Sequence, residues 1–314
     1  MAAVDYHSKD FDWADLREEI EKDPSFHYHL APFDPSSSSS TSDSEAWRTF
    51  HRRHSTGRFF KERRYLLNEF PDLVDRAGRI GSTKVLEVGC GNGSTALPFL
   101  RAKEDIIVYA CDCSMEALDM AKKMIDAADK PSIKNRFHTF LLDFSENEFP
   151  KWLFCHSCRS TQMPKQIYYS DVMKTELKLN SSSLSERTEC CISGFDFVSM
   201  IFTLSAVSFQ KMPFVIKECF SILKPGGLLL FRDYGLYDMS MLRFPSNQRT
   251  GFREYMRSDG TLSYFFSLDV TRDLFLNVGF LEMELEYCCI RSLNRNSRKN
   301  MRRVWIHGKF QKPI

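Results

Sequence analysis

From residue 84 onward, short apolar runs alternate with amphipathic stretches of helical period. Residues 84–87 read as a strand and 94–101 as the helix after it. A strand over 106–110 precedes a helix over 114–128, with Ser114 as N-cap and Glu116 in its first turn. Residues 137–142 form a third strand that ends in Asp143. A fourth, 195–201, precedes a helix over 213–223 that Lys224-Pro225-Gly226-Gly227 closes, and a fifth over 228–231 runs into Arg232-Asp233-Tyr234-Gly235. A helix over 267–277 stops at Gly279, a residue suited to the left-handed position after a helix. Two last runs, 281–290 and 303–310, read as strands. This strand–helix rhythm predicts an α/β fold with a doubly wound, mostly parallel sheet. Upstream of it, helices are predicted over 13–22, 45–54 and 61–69.

The chemistry concentrates at the carboxyl ends of the predicted strands, where open α/β sheets bind ligands. Glu87 is followed at once by the turn Gly89-Cys90-Gly91-Asn92-Gly93. Backbone without side chains lets an adenosine-bearing ligand approach the strand end. The turn lacks the G-x-G-x-x-G spacing of a dinucleotide site. Asp112, at the end of the second strand, is placed to take ribose hydroxyls. The later strand ends carry Asp143, then Ile201-Phe202, then Arg232-Asp233-Tyr234. Acid, acid, acid, apolar pair and a charged cluster is a series unlike that of a dehydrogenase.

The 314 residues, 43% of them hydrophobic, suit one large α/β domain with attachments, or two small domains. No apolar run approaches the ~20 residues of a membrane span. The N-terminus is acidic and has no apolar signal region, so neither a secretory leader nor a transit peptide is expected. The expected location is cytoplasmic, with the nucleus also open. A net charge of +2 names no partner, but its distribution does. Arg48, Arg52, Arg53, Arg58, Lys61, Arg63 and Arg64 form one basic block; Arg291, Arg295, Arg298, Lys299, Arg302 and Arg303 form another. Two such blocks flanking a cofactor domain favour a polyanionic substrate.

Two segments interrupt the rhythm. Residues 151–194 are polar and Ser-rich, offer little to bury, and read as a flexible insert. The insert holds Cys155-His156-Ser157-Cys158 and, some thirty residues on, Cys190-Cys191. Adjacent cysteines are poor tetrahedral partners, so free thiols and no metal are expected. Residues 235–266, rich in Tyr, Phe, Arg and Met, are expected to cover the site. The chain divides into a tail with a Ser-rich linker (1–46), a helical basic lid (47–80) and the α/β domain (81–314).

The strand-end series, with Leu223-Lys224-Pro225-Gly226-Gly227 before the fifth strand, resembles class I S-adenosylmethionine-dependent methyltransferases. That likeness implies a Rossmann-like, seven-stranded sheet with an N-terminal helical extension. It implies that Gly89 and Gly91 meet the methionine part of the cofactor, Asp112 the ribose and Asp143 the adenine amino group. Longer motifs narrow it: Phe231-Arg232-Asp233-Tyr234-Gly235-Leu236-Tyr237-Asp238, Leu242-Arg243-Phe244, Ile201-Phe202-Thr203-Leu204-Ser205-Ala206-Val207, Asp259-Gly260-Thr261 and Phe59-Phe60-Lys61-Glu62-Arg63. These are similar to the methyltransferase-like family that makes 3-methylcytidine in transfer RNA. The ending Arg303-Val304-Trp305-Ile306 looks most like the branch acting on threonine and arginine transfer RNAs. The family pattern has Tyr, Asp and Trp where this chain has His51, Glu62 and Tyr65.

The resemblance implies further cofactor contacts from Trp47, His51, Glu87, Phe144 and Ile201, and RNA contacts from Arg52, Arg53, Lys61, Arg63 and Arg64. Cytosine N3 attacks a methyl group through a lone pair, without losing a proton, so no strong base is needed and the product is a cation. A carboxylate near the base suits that charge. Asp233 is therefore expected at the reacting base, Arg232 at its O2 or a phosphate, and Tyr234 stacked on it. Transfer RNA is the expected partner, with an aminoacyl-tRNA synthetase or another tRNA-binding protein as a second one. Two alternatives stay open: methylation of a protein or small molecule, and a catalytically weak RNA-binding subunit.

Overall fold

The computed structural model describes residues 9–33, 43–54, 62–75, 81–128, 130–162, 190–293 and 300–314. The Ser-rich linker, Arg58, Phe59, Phe60, Lys61, Arg295, Arg298, Lys299 and the centre of the 151–194 insert lie outside them.

Ten strands are described: β1 (Thr83–Val88), β2 (Ile106–Asp112), β3 (Phe137–Leu141), β4 (Phe195–Ile201), β5 (Leu223–Tyr234), β6 (Arg249–Gly251), β7 (Glu254–Met256), β8 (Leu262–Tyr264), β9 (Leu281–Leu293) and β10 (Asn300–Gln311). The described helices are α1 (Trp13–Lys22), α2 (His27–Leu30), α3 (Asp43–Arg53), α4 (Leu66–Glu69), α5 (Asp72–Asp75), α6 (Ala96–Ala102), α7 (Met115–Asp126), α8 (Pro131–Lys134), α9 (His156–Gln162), α10 (Met212–Ile222) and α11 (Leu268–Leu276).

Seven strands form one sheet in the order β3-β2-β1-β4-β5-β10-β9. Strands β1 to β5 pair in parallel, and β10 runs antiparallel between β5 and β9. The strand order reverses between β1 and β4, the point at which such sheets open a crevice for a ligand. β4 is buried at every position, as a central parallel strand covered on both faces must be. Ser114 caps α7 as its sequence predicts, accepting the Ala117 N–H at 3.2 Å.

Strand β5 is longer than the predicted 228–231 because Leu223 pairs with Phe195 before the register shifts, and Gly226 (φ +72°) absorbs the irregularity. A Pro-Gly-Gly sequence read as a turn is here a bulged strand start. The predicted tail also differs. Asp12 caps α1, whose Leu16 and Ile20 are buried in the main core. Trp13 stacks on Tyr287 with ring centroids 4.5 Å apart and donates to the Leu236 carbonyl at 3.2 Å. A single amphipathic helix far upstream gives no sequence sign of what it packs against.

Residues 235–266 do form a cover, through a feature the sequence does not announce. β6, β7 and β8 make a small antiparallel sheet. It is tied to the end of β5 by Phe266 N–H to Tyr234 O (2.9 Å) and Leu236 N–H to Phe266 O (2.7 Å). Among the described residues, no helix is long and apolar enough to cross a membrane.

Candidate active site

The glycine turn is closed by sterics. Gly89 has φ +67°, and a Cβ there would stand 2.5 Å from Thr203 Cγ2. Thr203 in turn donates its hydroxyl to Val88 O at 3.0 Å. Glycine is thus the residue that lets the end of β1 close against the segment after β4. One turn residue on, Gly91 (φ +52°) donates its N–H to Asp112 Oδ2 at 2.9 Å, while Asp112 Oδ1 accepts from Ser114 N–H at 3.0 Å. Asp112 thereby joins the turn after β1 to the start of α7. A carboxylate has further lone pairs, so it can also accept from ligand hydroxyls.

A cavity of about 710 Å³ opens over these strand ends. Toward β2 and β3 its wall includes Trp47, His51, Gly89, Gly91, Asp112, Asp143 and Phe144, and Ile201 joins it from the end of β4. α3 roofs this half: Trp47 Nε1 donates to Ala206 O at 3.3 Å and Arg48 Nε to Cys113 O at 3.1 Å. His51 is 4% exposed, its Nδ1 has no hydrogen-bond partner, and burial lowers its pKa, so the ring is neutral near pH 7. A buried imidazole nitrogen without a partner, facing a cleft with Asp112, fits an adenosine-bearing ligand. Asp143 is held by the Ser145 hydroxyl at 2.7 Å.

Glu87 does not line the cavity. It lies beneath the turn, where burial pushes its carboxyl up to about 8 although Arg63, the Thr95 hydroxyl and the Ala96 N–H pull it back. Its expected direct contact with the cofactor does not fit that placement; it supports the turn from below.

The other half of the cavity is aromatic and basic. Phe202, Tyr234 and Trp305 line it, with centroids 5.0 Å apart for Phe202–Tyr234 and 6.1 Å for Phe202–Trp305. Phe202 takes a left-handed φ of +56°, held by its N–H to Arg232 O at 2.7 Å. Strain of this kind in a non-glycine residue concentrates at functional sites. Arg303 lies 5.3 Å over the Trp305 ring and donates to Asp238 Oδ2 at 2.9 Å. Arg257 and Asp259, from the cover, complete this end.

Of the three expected catalytic residues, Tyr234 alone reaches the cavity wall. Arg232 is 1% exposed; it pairs with Glu69 of α4 and lies under the Trp305 ring, 4.5 Å from its centroid. It braces the sheet rather than reaching for a base or phosphate. Asp233 is fully buried behind the wall. Its carboxylate accepts from Ser205 N–H at 2.9 Å and Tyr234 N–H at 2.8 Å, and burial pushes its pKa up to about 6. It touches the wall residues Ser205 and Tyr234, not the cavity itself.

The basic block also divides. Arg52, Arg53 and Arg64 are exposed beside the site, with Arg52 3.7 Å from Glu116 and Arg64 3.0 Å from Glu62. Arg63 is not a surface cation. It lines the cavity, donates to Ile201 O and Thr95 Oγ1 at 3.2 Å each, and stands 5.3 Å over the Phe202 ring. Trp305 and Arg303 were missed as site residues because only the β10–β5 register, which pairs Trp305 with Tyr234, brings them there.

Residues 59–282 match the family model described as a methyltransferase domain. With the glycine turn, the two strand-end acids and the single reversed strand, that makes the protein a class I S-adenosylmethionine-dependent methyltransferase. A methyltransferase of that cofactor class from Anabaena variabilis superposes with a TM-score of 0.56 at 11% identity, over 90% of this chain and 100% of that one. The Drosophila melanogaster tRNA N(3)-methylcytidine methyltransferase Mettl2 is 32% identical over 273 residues, 85% of this chain and 71% of that protein. Human tRNA N(3)-cytidine methyltransferase METTL6 is 32% identical over 268 residues, 85% of this chain and 79% of its own length. The chain belongs to this tRNA N(3)-cytidine methyltransferase family. Equal identity to Mettl2 and METTL6 does not separate the family's branches.

Proposed function

We propose that the protein methylates N3 of a cytidine in the anticodon loop of specific transfer RNAs. The observation that carries the reading is the continuity of the cavity, whose cofactor half runs directly into the aromatic and basic half formed by Phe202, Tyr234, Trp305, Arg303 and Arg257. A single-stranded loop can present a flipped base to such a pocket, with its Watson–Crick edge free.

Bound S-adenosylmethionine supplies a methyl group on a sulfonium, which the N3 lone pair takes while the S–CH₃ electron pair stays on sulfur as a neutral thioether. Asp112 would hold the ribose, and Trp47 and His51 of α3 would hold the adenosine. Phe202, Tyr234 and Trp305 hold the base plane and, through their ring faces, favour the positive charge that passes to it. Asp233 adds a fixed negative charge behind Tyr234. The exposed Arg52, Arg53 and Arg64 meet phosphates. A second tRNA-binding protein, such as an aminoacyl-tRNA synthetase, is part of the same proposal.

Incubation with labelled S-adenosylmethionine and total transfer RNA, with and without such a protein, tests the reading. N3-methylcytidine mapped to anticodon loops supports it. Label in protein or small molecules, at rates indifferent to salt, overturns it, because transfer-RNA binding must weaken steeply with salt.

A further inference from the structure

Four thiols meet at the opposite end of β4 from the cavity. Cys155 immediately precedes α9, Cys158 is in its first turn, and Cys190-Cys191 leads into β4. Their four sulfurs all lie within 4.8 Å of one another, with Cys155–Cys190 at 3.5 Å and Cys158–Cys190 at 3.4 Å. None is in a disulfide. A tetrahedral zinc with Zn–S bonds of ~2.3 Å sets its sulfurs ~3.8 Å apart, a separation that lies between the short pairs of this cluster and its 4.8 Å limit. The sequence objection was that adjacent cysteines seldom share a tetrahedron. Here the sulfurs of both Cys190 and Cys191 belong to the same cluster, so the objection does not hold for this backbone.

The two segments that carry the thiols are fixed by other means. Ile192 N–H donates to Trp152 O and Gly194 N–H to Leu153 O, each at 2.9 Å. Lys84 Nζ donates to Ile192 O at 2.6 Å, and Leu153 and Phe154 are buried. Backbone N–H groups also point at the sulfurs: Ser193 N–H at Cys191 Sγ (3.3 Å) and Cys158 N–H at Cys155. Such bonds stabilise thiolate charge and orient metal ligands.

We propose that Cys155, Cys158, Cys190 and Cys191 bind one Zn²⁺ as a closed four-sulfur structural site. Four protein ligands leave no open position for a reacting water. The seven residues of β4 separate the cluster from Ile201 in the cavity wall by ~20 Å, so the ion serves the fold and not methyl transfer. It joins the chain leaving Phe154 to the chain entering β4, closing a loop of 35 residues. The thiols release their protons as the metal binds.

The test uses the full chain purified under reducing conditions. Elemental analysis should find one zinc per chain, and cobalt(II) in its place should give the absorption of a tetrahedral tetrathiolate. Cys158→Ser should lose most of the metal, while Cys113→Ser, outside the cluster, keeps it. Chelation should lower the melting temperature and leave cofactor affinity, measured on the protein that stays folded, near the parent value. Wild-type protein that holds no zinc and shows four freely titrating thiols here would overturn the proposal, as would a disulfide mapped among these cysteines. The cobalt spectrum of the wild-type chain decides the matter even if the serine variant does not fold.

Discussion

Arg232 and Asp233 are bonded neighbours whose side chains leave β5 on opposite faces of the sheet. Arg232 goes to Glu69 of α4, and Asp233 to Ser205 and Tyr234 behind the cavity. The pleat enforces this, because successive residues of a strand alternate faces. An ion pair between the two, the simplest reading of their adjacency, is therefore excluded. Across the register His307 pairs with Arg232 and also reaches Glu69, at 3.1 Å, so one buried network fastens α4 to β5 and β10. Burial resists the charge on Glu69, but His307 and Arg232 more than offset it and hold its carboxyl below the usual range.

Arg232→Met should thus act on stability. It leaves the buried Glu69 with His307 but without the Arg232 cation, an effect of about 3–5 kcal/mol. Adding Glu69→Gln should recover much of the loss. Denaturant midpoints for the single and double variants check this; a single variant as stable as the parent would remove the brace.

Asp112→Asn should lower S-adenosylmethionine affinity roughly 10- to 100-fold, since each hydrogen bond to a charged group contributes about 1.5–3 kcal/mol. Asp112 both holds Gly91 and lines the cavity, so the turn and the ribose site weaken together. Calorimetric titration is the measurement, and parent-like affinity would count against the assignment.

Trp305→Ala should raise KM for RNA by roughly 5- to 150-fold, the effect of removing one stacking platform worth ~1–3 kcal/mol. Cofactor affinity should hardly move, because Trp305 lies on the β5–β10 side of the cavity, away from Asp112 and Asp143. An unchanged KM would show that the base stacks elsewhere.

Much of this was legible in the sequence. The glycine turn, Asp112 and Asp143 could be placed because local chemistry and strand-end position specify them together. Trp305 was not, since its place depends on β10 folding back between β5 and β9, a pairing between residues some seventy positions apart. The inward turn of Arg63 was hidden for a related reason. A basic run looks like surface, and only the Phe202 ring and the Ile201 carbonyl, distant in sequence, explain why this member turns inward. The four cysteines were visible as C-x₂-C and a Cys-Cys pair, but their meeting was not, because it depends on hydrogen bonds from Ile192 and Gly194 to residues some forty positions away.

Glu87 gives the fold a pH dependence. Its carboxyl moves from 4.5 to about 8 on folding, through burial. A raised carboxyl contributes stability that is full below the unfolded value and is lost as pH rises through the folded one. Stability should therefore decline between pH 4.5 and about 8 and level off beyond. Glu87→Gln mimics the protonated form and should flatten this slope, gaining on the parent as pH rises. Unfolding curves across that range test it; parallel pH profiles for parent and variant would show that Glu87 does not titrate there.

Asp233 should give the reaction a pH dependence of opposite sense. Its carboxyl is pushed up to about 6 by burial, with the Ser205 hydroxyl and the Ser205 and Tyr234 N–H groups opposing the shift. Methyl transfer to N3 moves a positive charge onto the base beside Tyr234, and an ionised Asp233 one residue behind the wall favours it. At an effective dielectric near 20, such a charge contributes on the order of 2 kcal/mol, roughly thirtyfold in rate. The single-turnover rate, with cofactor and RNA saturating, should rise as pH passes about 6 and then level. Asp233→Asn retains one of the two acceptors and should keep both ligands bound, yet react roughly thirtyfold more slowly above pH 6, with the step near 6 gone. A residue that merely shaped the wall would lower the rate at every pH alike. A variant that keeps the step near pH 6 would therefore assign the titration to another group and leave Asp233 a packing role behind Tyr234.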